Sequence, residues 1–206
     1  MSKVAPVAQD ARDRILEAAC ELIAAEGIDE VRIARVAMRA GASTALVHHY
    51  FSTREELLEQ ALLHSFELAG DERFGDEPSE ERSASRALAR MIEGCLPVPG
   101  SQECDWVLWV ELWLRAVRDP ELRPVAAQLY DRYRGWLASE IRTGVESGEF
   151  GPCDPDDVAD HAMALLDGFG IRALLGDPSM DLDRARSAVA RLLANDLALD
   201  AEKLEW

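Results

Sequence analysis

Apolar residues recur at intervals of three and four along almost the whole chain, and no stretch of useful length alternates as a half-buried strand would. Ile15, Ala18, Ala19, Leu22 and Ile23 mark one face of a first helix, which Gly27 closes. Ile33, Val36, Ala37 and Ala40 repeat the spacing until Gly41, which enters φ > 0 without steric cost. Ser43 is a good N-cap for a second short helix that turns Val47 inward and leaves Thr44, His48 and His49 outward. Ser52 followed by Glu55 reads as a capping box ahead of the apolar pair Leu57 and Leu58.

The rest of the chain keeps the helical period. Between Ser83 and Leu96, the residues Ala84, Ala87, Leu88, Met91, Ile92 and Cys95 form a stripe, ended by Pro97, Pro99 and Gly100. A helix from near Asp105 to Val117 follows. Asp119-Pro120 gives a cap and first-turn proline for another that reaches about Ser147, with Pro124 kinking its first turn or delaying its start. Asp154-Pro155 repeats the signal for a helix to about Leu175, and Asp157 lies where the helix dipole favours a carboxylate. Asp181 caps a last helix with Leu182, Ala185, Val189, Leu192 and Leu193 inward. The prediction is an all-α chain without internal repeats.

The segment 32–51 is two short helices about a glycine turn, the second one polar outward. A helix-turn-helix presents its second helix to a DNA major groove in this way, although any helical hairpin with a glycine turn shares part of the pattern. The flanks narrow the reading. From Gly27 through Ala37, Ala40, Gly41 and Ser43 to Tyr50, Phe51, Glu56 and Leu57, residues 11–62 resemble the DNA-binding head of the TetR family of bacterial regulators. The run STALVHHYF, residues 43–51, is further similar to the choline-responsive, BetI-like branch. The resemblance implies about nine helices. A three-helix helix-turn-helix head sits N-terminal to a larger helical domain for ligand binding and dimerisation. It divides the chain into a flexible arm at 1–10, a DNA-binding domain at 11–60 and a ligand-binding and dimerisation domain at 61–206.

Charge qualifies this picture without overturning it. A net charge of −17 over 206 residues argues at first against a nucleic-acid partner. The acid is concentrated outside the head: residues 1–60 carry seven basic and ten acidic side chains, the remainder fifteen and twenty-nine. Arg32, Arg39 and Arg54 sit near the proposed DNA face, and Glu17, Glu21 and Glu26 lie on the first helix. Such a balance weakens non-specific binding and leaves more of the affinity to a specific site. No apolar run is long enough to span a membrane and no signal segment precedes the head, so a cytoplasmic protein is expected. Cys20, Cys95, Cys104 and Cys153 are scattered without a CxxC, which fits reduced thiols and no zinc site.

Roles in the head follow from the resemblance and from side-chain chemistry. Ser43 and Thr44 open the recognition helix, and Tyr50 and Arg54 occupy positions at which the family contacts phosphate. Arg32 replaces the family's usual Thr at the start of the preceding helix and still has the reach for phosphate. Thr44, Ala45, Leu46 and His48 are the candidates to face bases, with Ala45 or Leu46 suited to a thymine methyl. Ala45 stands where the family often has Gly. His49 completes the DNA-facing set; as the neighbour of His48 it points about 100° away, so one metal ion shared by the pair is not expected.

Trp106, Trp109 and Trp113 share a helix face, as do Tyr130, Tyr133 and Trp136 on the next helix. With Glu111 and Asp167 they form a candidate pocket for a cationic amine or polyamine, held by cation–π and ion-pair contacts, as the BetI-like resemblance also implies. Aromatic stripes at helical spacing are more often core or dimer packing, and the apolar tails of other ligands, such as lipids or antibiotics, fit a Trp-rich cavity equally well. The penultimate helix mixes small residues with large ones and is apolar over much of its circumference, so it buries more than one face. It does so either as the central helix of a monomeric core or, as the TetR resemblance implies, in a two-fold dimer built from the last two helices through His161, Leu165, Gly168, Phe169, Arg172, Val189, Leu192 and Leu193. No GxSxG, phosphate loop or HExxH occurs, so no catalytic group, metal or cofactor is expected. The reading is a homodimeric DNA-binding repressor, released from a near-palindromic operator by a small molecule. Its rivals are a helical ligand- or partner-binding protein that no longer binds DNA and, more remotely, a helical enzyme in which Asp157 and His161 pair as orienter and base.

Overall fold

The computed structural model describes residues 5–74 and 83–199, and all regular structure within them is helical. The elements are α1 (Ala5–Glu26), a 3-10 turn (Ile28–Glu30), α2 (Ile33–Arg39), α3 (Thr44–Tyr50), α4 (Arg54–Phe74), α5 (Ala84–Gly94), α6 (Ser101–Arg118), a second 3-10 turn (Pro120–Leu122), α7 (Arg123–Ser147), α8 (Pro155–Leu174) and α9 (Leu182–Asp196). Contacts group them into two compact units, residues up to 69 with 104–126, and residues 70–103 with 127 onward.

In the first unit, Ile15, Leu16, Ala19 and Ile23 of α1 are fully buried with Val36 of α2, Val47 of α3 and Leu57 of α4. Gly27 at φ 83° and Gly41 at φ 62° end α1 and α2 as the sequence requires. Ser43 caps α3, its side chain accepting from the Leu46 amide at 3.1 Å. The partition differs from a single cut after residue 60, because α6 from Cys104 onward groups with the head. Its Trp109 ring packs 4.4 Å from Phe66 of α4.

Several element boundaries depart from expectation for local reasons. The expected arm at 1–10 is helical from Ala5 onward, since Pro6 falls in the first turn, where no backbone donor is needed; residues 1–4 lie outside the described residues. The capping box before α4 is shifted by one residue. Thr53 Oγ1 accepts from the Glu56 amide at 3.0 Å, and the Glu56 carboxylate accepts from the Ser52 amide at 2.7 Å. The start of α6 lies at Ser101, ahead of Asp105. Pro120 opens only a 3-10 turn, and α7 starts at Arg123 with Pro124 in its first turn.

The second unit closes a core of α5, α7, α8 and α9, centred on Leu88, Ile92, Leu137, Ile141, Ala162 and Leu166. Asp154 caps α8 and Asp181 caps α9 through their side chains. The start of α5 is capped from a distance. Glu149 accepts from the Ala84 amide at 3.0 Å, the Ser85 amide at 3.2 Å and the Ser83 hydroxyl at 2.8 Å. Burial alone pushes the Glu149 carboxyl up, but these donors outweigh it and hold the group below its ordinary range. Glu149→Ala is expected to cost about 1 kcal/mol at neutral pH, as loss of an N-cap does. A depressed folded pKa contributes stability above the unfolded value and loses it as pH falls through the folded value. The gap in melting temperature between parent and variant therefore closes on acidification; a gap that persists in acid would assign the loss to packing.

Candidate DNA-reading head and ligand-binding groups

The outward face of α3 is built as the sequence predicts. Thr44, Ala45, His48 and His49 are exposed with Ser43, Leu46 and Tyr50 are half-buried, and Val47 anchors the helix at full burial. The His49 and Tyr50 rings meet edge-on with centroids 5.2 Å apart. Met38, an apolar residue off the inward stripe of α2, is 78% exposed. Sequence reasoning passed over it, although its position off the stripe was the readable signal.

The arginines of the head are engaged within the protein. Arg54 is a clamp on the turn that leads into α2. Its Nε donates to the Val31 carbonyl at 2.7 Å and its Nη2 to the Ile28 carbonyl at 2.6 Å. The guanidinium thereby satisfies carbonyls that the short 3-10 turn leaves without helical partners, and its Nη1 pairs with Glu55 at 3.3 Å, so that, like Arg32, it reaches phosphate by exchanging a local partner. Arg32 donates to the carbonyls of Asp29 and Val31, Arg39 pairs with Glu21 at 2.6 Å, and Arg35 pairs with Glu26 through both terminal nitrogens. Exposed pairs of this kind contribute little to stability and exchange readily, so these side chains reach phosphate only by leaving a local partner.

The candidate ligand-binding residues fall into two sets, one in each unit. In the first unit, Trp106 and Trp113 meet edge-on at 6.1 Å, Trp109 and Trp113 stack at 5.9 Å, and Trp109 packs on Phe66. Glu111 lies off this cluster, with its carboxylate toward Gly27, 3.9 Å from where a Cβ on that glycine would sit. In the second unit, Tyr130 donates its hydroxyl to Asp167 Oδ2 at 2.6 Å. Burial pushes the Asp167 carboxyl above its ordinary range, against the lowering effect of that hydrogen bond. Tyr133 is buried in the core and meets Trp136 edge-on at 5.1 Å, while Arg132 lies over the Trp136 ring at 5.1 Å from its centroid.

The candidate dimer face divides. His161, Gly168, Arg172 and Leu192 are exposed and Leu165 and Phe169 half-buried. A Cβ on Gly168 would meet nothing within 4 Å, which leaves room for another helix to approach. Val189 and Leu193 are fully buried in the core of the unit and are corrected to packing residues; Leu192, expected inward, is 43% exposed instead. His161 pairs with Asp196 at 3.0 Å, not with Asp157, in a surface contact. All four cysteines are free, and burial pushes Cys20 up to about 12, which leaves it an inert thiol. Among the described residues no group of His, Cys, Asp and Glu is placed to hold a metal, and no helix is long and apolar enough to cross a membrane.

Both halves of the chain match known proteins. The family described as bacterial regulatory proteins, tetR family, matches residues 15–61, and the family described as BetI-type transcriptional repressor, C-terminal, matches residues 84–198. The HTH-type transcriptional regulator BetI of Cronobacter sakazakii is 25% identical over 189 residues, 91% of each chain. A transcriptional regulator from Saccharomonospora viridis, solved in complex with choline, superposes with a TM-score of 0.79 at 33% identity, covering 92% of this chain and 98% of that one. A TetR-family regulator from Rhodococcus sp. superposes with a TM-score of 0.75 at 29% identity over 91% and 98% of the two chains.

Proposed function

The chain belongs to the TetR family of bacterial transcriptional regulators, with a C-terminal half of the BetI repressor type, and we propose that it is a homodimeric repressor released from its operator by a small organic cation. Residues 11–60 read DNA. Ser43, Thr44 and Tyr50 position the recognition helix on phosphate, with Arg32 exchanging its local carbonyls for the backbone. Thr44, Ala45, Leu46, His48 and His49 face the major groove. Two such heads, paired through the outward side of α8 and α9, read two half-sites about one turn apart. The rest of the chain carries the effector and dimerisation functions. As a regulator of transcription it works in the bacterial cytoplasm, where its operator is.

The observation that carries the effector reading is Asp167. A half-buried carboxylate held by the Tyr130 hydroxyl, on the same unit as Tyr133 and Trp136, suits a quaternary or primary ammonium. A similar regulator has been solved with choline bound, and choline is therefore the first ligand to try. An effector shifts operator affinity by no more than its differential affinity for the two conformers of the dimer.

The direct experiment is fluorescence anisotropy on duplexes tiling the DNA upstream of the gene, with and without choline. One near-palindromic tile is expected to bind a dimer and to release it as choline rises. Asp167→Asn keeps the Tyr130 contact and removes the charge, so operator binding should survive while the choline midpoint rises about tenfold or more. An unchanged midpoint would remove Asp167 from the site, and binding to no tile at low salt would return the protein to the reading of a helical receptor without DNA.

A further inference from the structure

The first unit contains a cavity of about 130 Å³, roughly ten times the space one water requires. Its walls are aliphatic, among them Ile28, Leu58, Leu112 and Val125, and its polar edge carries Glu55, Glu59, Asp119 and Arg115. With the partners that reach this edge included, Arg54 against Glu55 at 3.3 Å and Asp29 against Arg115 at 3.5 Å, four carboxylates meet two guanidiniums, a balance that favours a cation. Short aliphatic walls favour a compact apolar body over a flat aromatic one.

The position of the cavity gives it a consequence. Ile28 begins the 3-10 turn that leads into α2, and Arg54 holds this turn by the Ile28 and Val31 carbonyls. Arg115 of α6 pairs with Asp29 of the same turn. A molecule in the cavity therefore touches the segment that sets where α2 starts, and α2 in turn packs against the recognition helix.

We propose that this cavity is a second effector site, separate from the Asp167 group, which takes a small aliphatic ammonium and acts on the helix-turn-helix directly through the Ile28–Glu30 turn. Its apolar part lies against Ile28, Leu58 and Leu112, and its charge lies toward Glu59 and Asp119. The two sites are built on different units and respond to different substitutions.

The test uses full-length protein with isoleucine δ-methyl labelling and n-butylammonium chloride as the probe, followed by NMR. The Ile28 methyl signal should shift saturably. The shift should persist in Asp167→Asn and weaken by about tenfold in the double variant Glu59→Gln with Asp119→Asn. Circular dichroism confirms that the double variant is folded. Val125→Phe, which fills the cavity without touching its charge, should abolish the shift and keep operator binding. An Ile28 signal that does not saturate would overturn the proposal. So would a shift lost in Asp167→Asn, which would report a single site elsewhere, or one unaffected by both cavity variants.

Discussion

Ala45→Glu should lower operator affinity by about a thousandfold while leaving the protein folded. Ala45 is exposed at the second position of α3, directly after Thr44 and the Ser43 cap. A glutamate there is favourable to the isolated helix, since it forms helix well and adds negative charge to the first turn. The same carboxylate in a major groove is set among phosphates, and like-charge juxtaposition costs several kcal/mol. A two-fold dimer repeats the penalty at the second half-site, so about 2 kcal/mol per head gives about 4 kcal/mol for the complex, or three decades in Kd. Ala45→Gln is the control for bulk alone, with a smaller loss. Anisotropy on the operator duplex, alongside thermal melting, separates the two properties. A variant within about threefold of the parent would mean that Ala45 does not face DNA.

The features legible in the sequence were those whose cause is local. Ser43, Asp154 and Asp181 cap their helices because the acceptor and the amides it serves lie within three residues. Gly27 and Gly41 are at positive φ because each ends a helix that must turn sharply. Where two local signals overlap, reading fails by one residue: Ser52–Glu55 and Thr53–Glu56 both have capping-box spacing, and burial of Leu57 and Leu58 selects the second. Non-local causes were not legible. The carbonyl partners of Arg54 lie 23 and 26 residues away, and the sequence does not show which carbonyls the 3-10 turn leaves open. Glu149 caps a helix 65 residues upstream. Leu192 and Leu193 are adjacent and chemically equal; only the packing of α9 on α8 decides that Leu193 is buried and Leu192 exposed. The candidate site divides the same way, with the α3 face readable from helical phase and the hydrogen bond between Tyr130 and Asp167 visible only once α7 and α8 are packed.

Gly144→Ala should destabilise the second unit by about 2 kcal/mol, although helix propensity alone predicts a gain. Gly144 lies inside α7, where replacing glycine by alanine is worth up to about 1 kcal/mol in stability. A Cβ at this position would fall 2.2 Å from Cδ2 and 2.3 Å from Cε2 of Phe150, well inside van der Waals contact. The ring has little freedom to retreat. Phe150 is 4% exposed in the core, and its amide donates to the Gly144 carbonyl at 2.9 Å. On either side of it, Glu149 is fixed by the start of α5, and the Gly151 amide donates to the Leu197 carbonyl at 2.8 Å. Overpacking of about 3 kcal/mol therefore exceeds the propensity gain. The midpoint of thermal unfolding should drop by roughly 4–8 °C for a chain of this size, measured at matched protein concentration because the proposed dimerisation would couple to stability. Phe150→Leu in the Gly144→Ala background should recover part of the loss, so the two substitutions are strongly non-additive. A Gly144→Ala protein that melts at or above the parent would show that the ring yields, and that propensity rather than close approach governs this position.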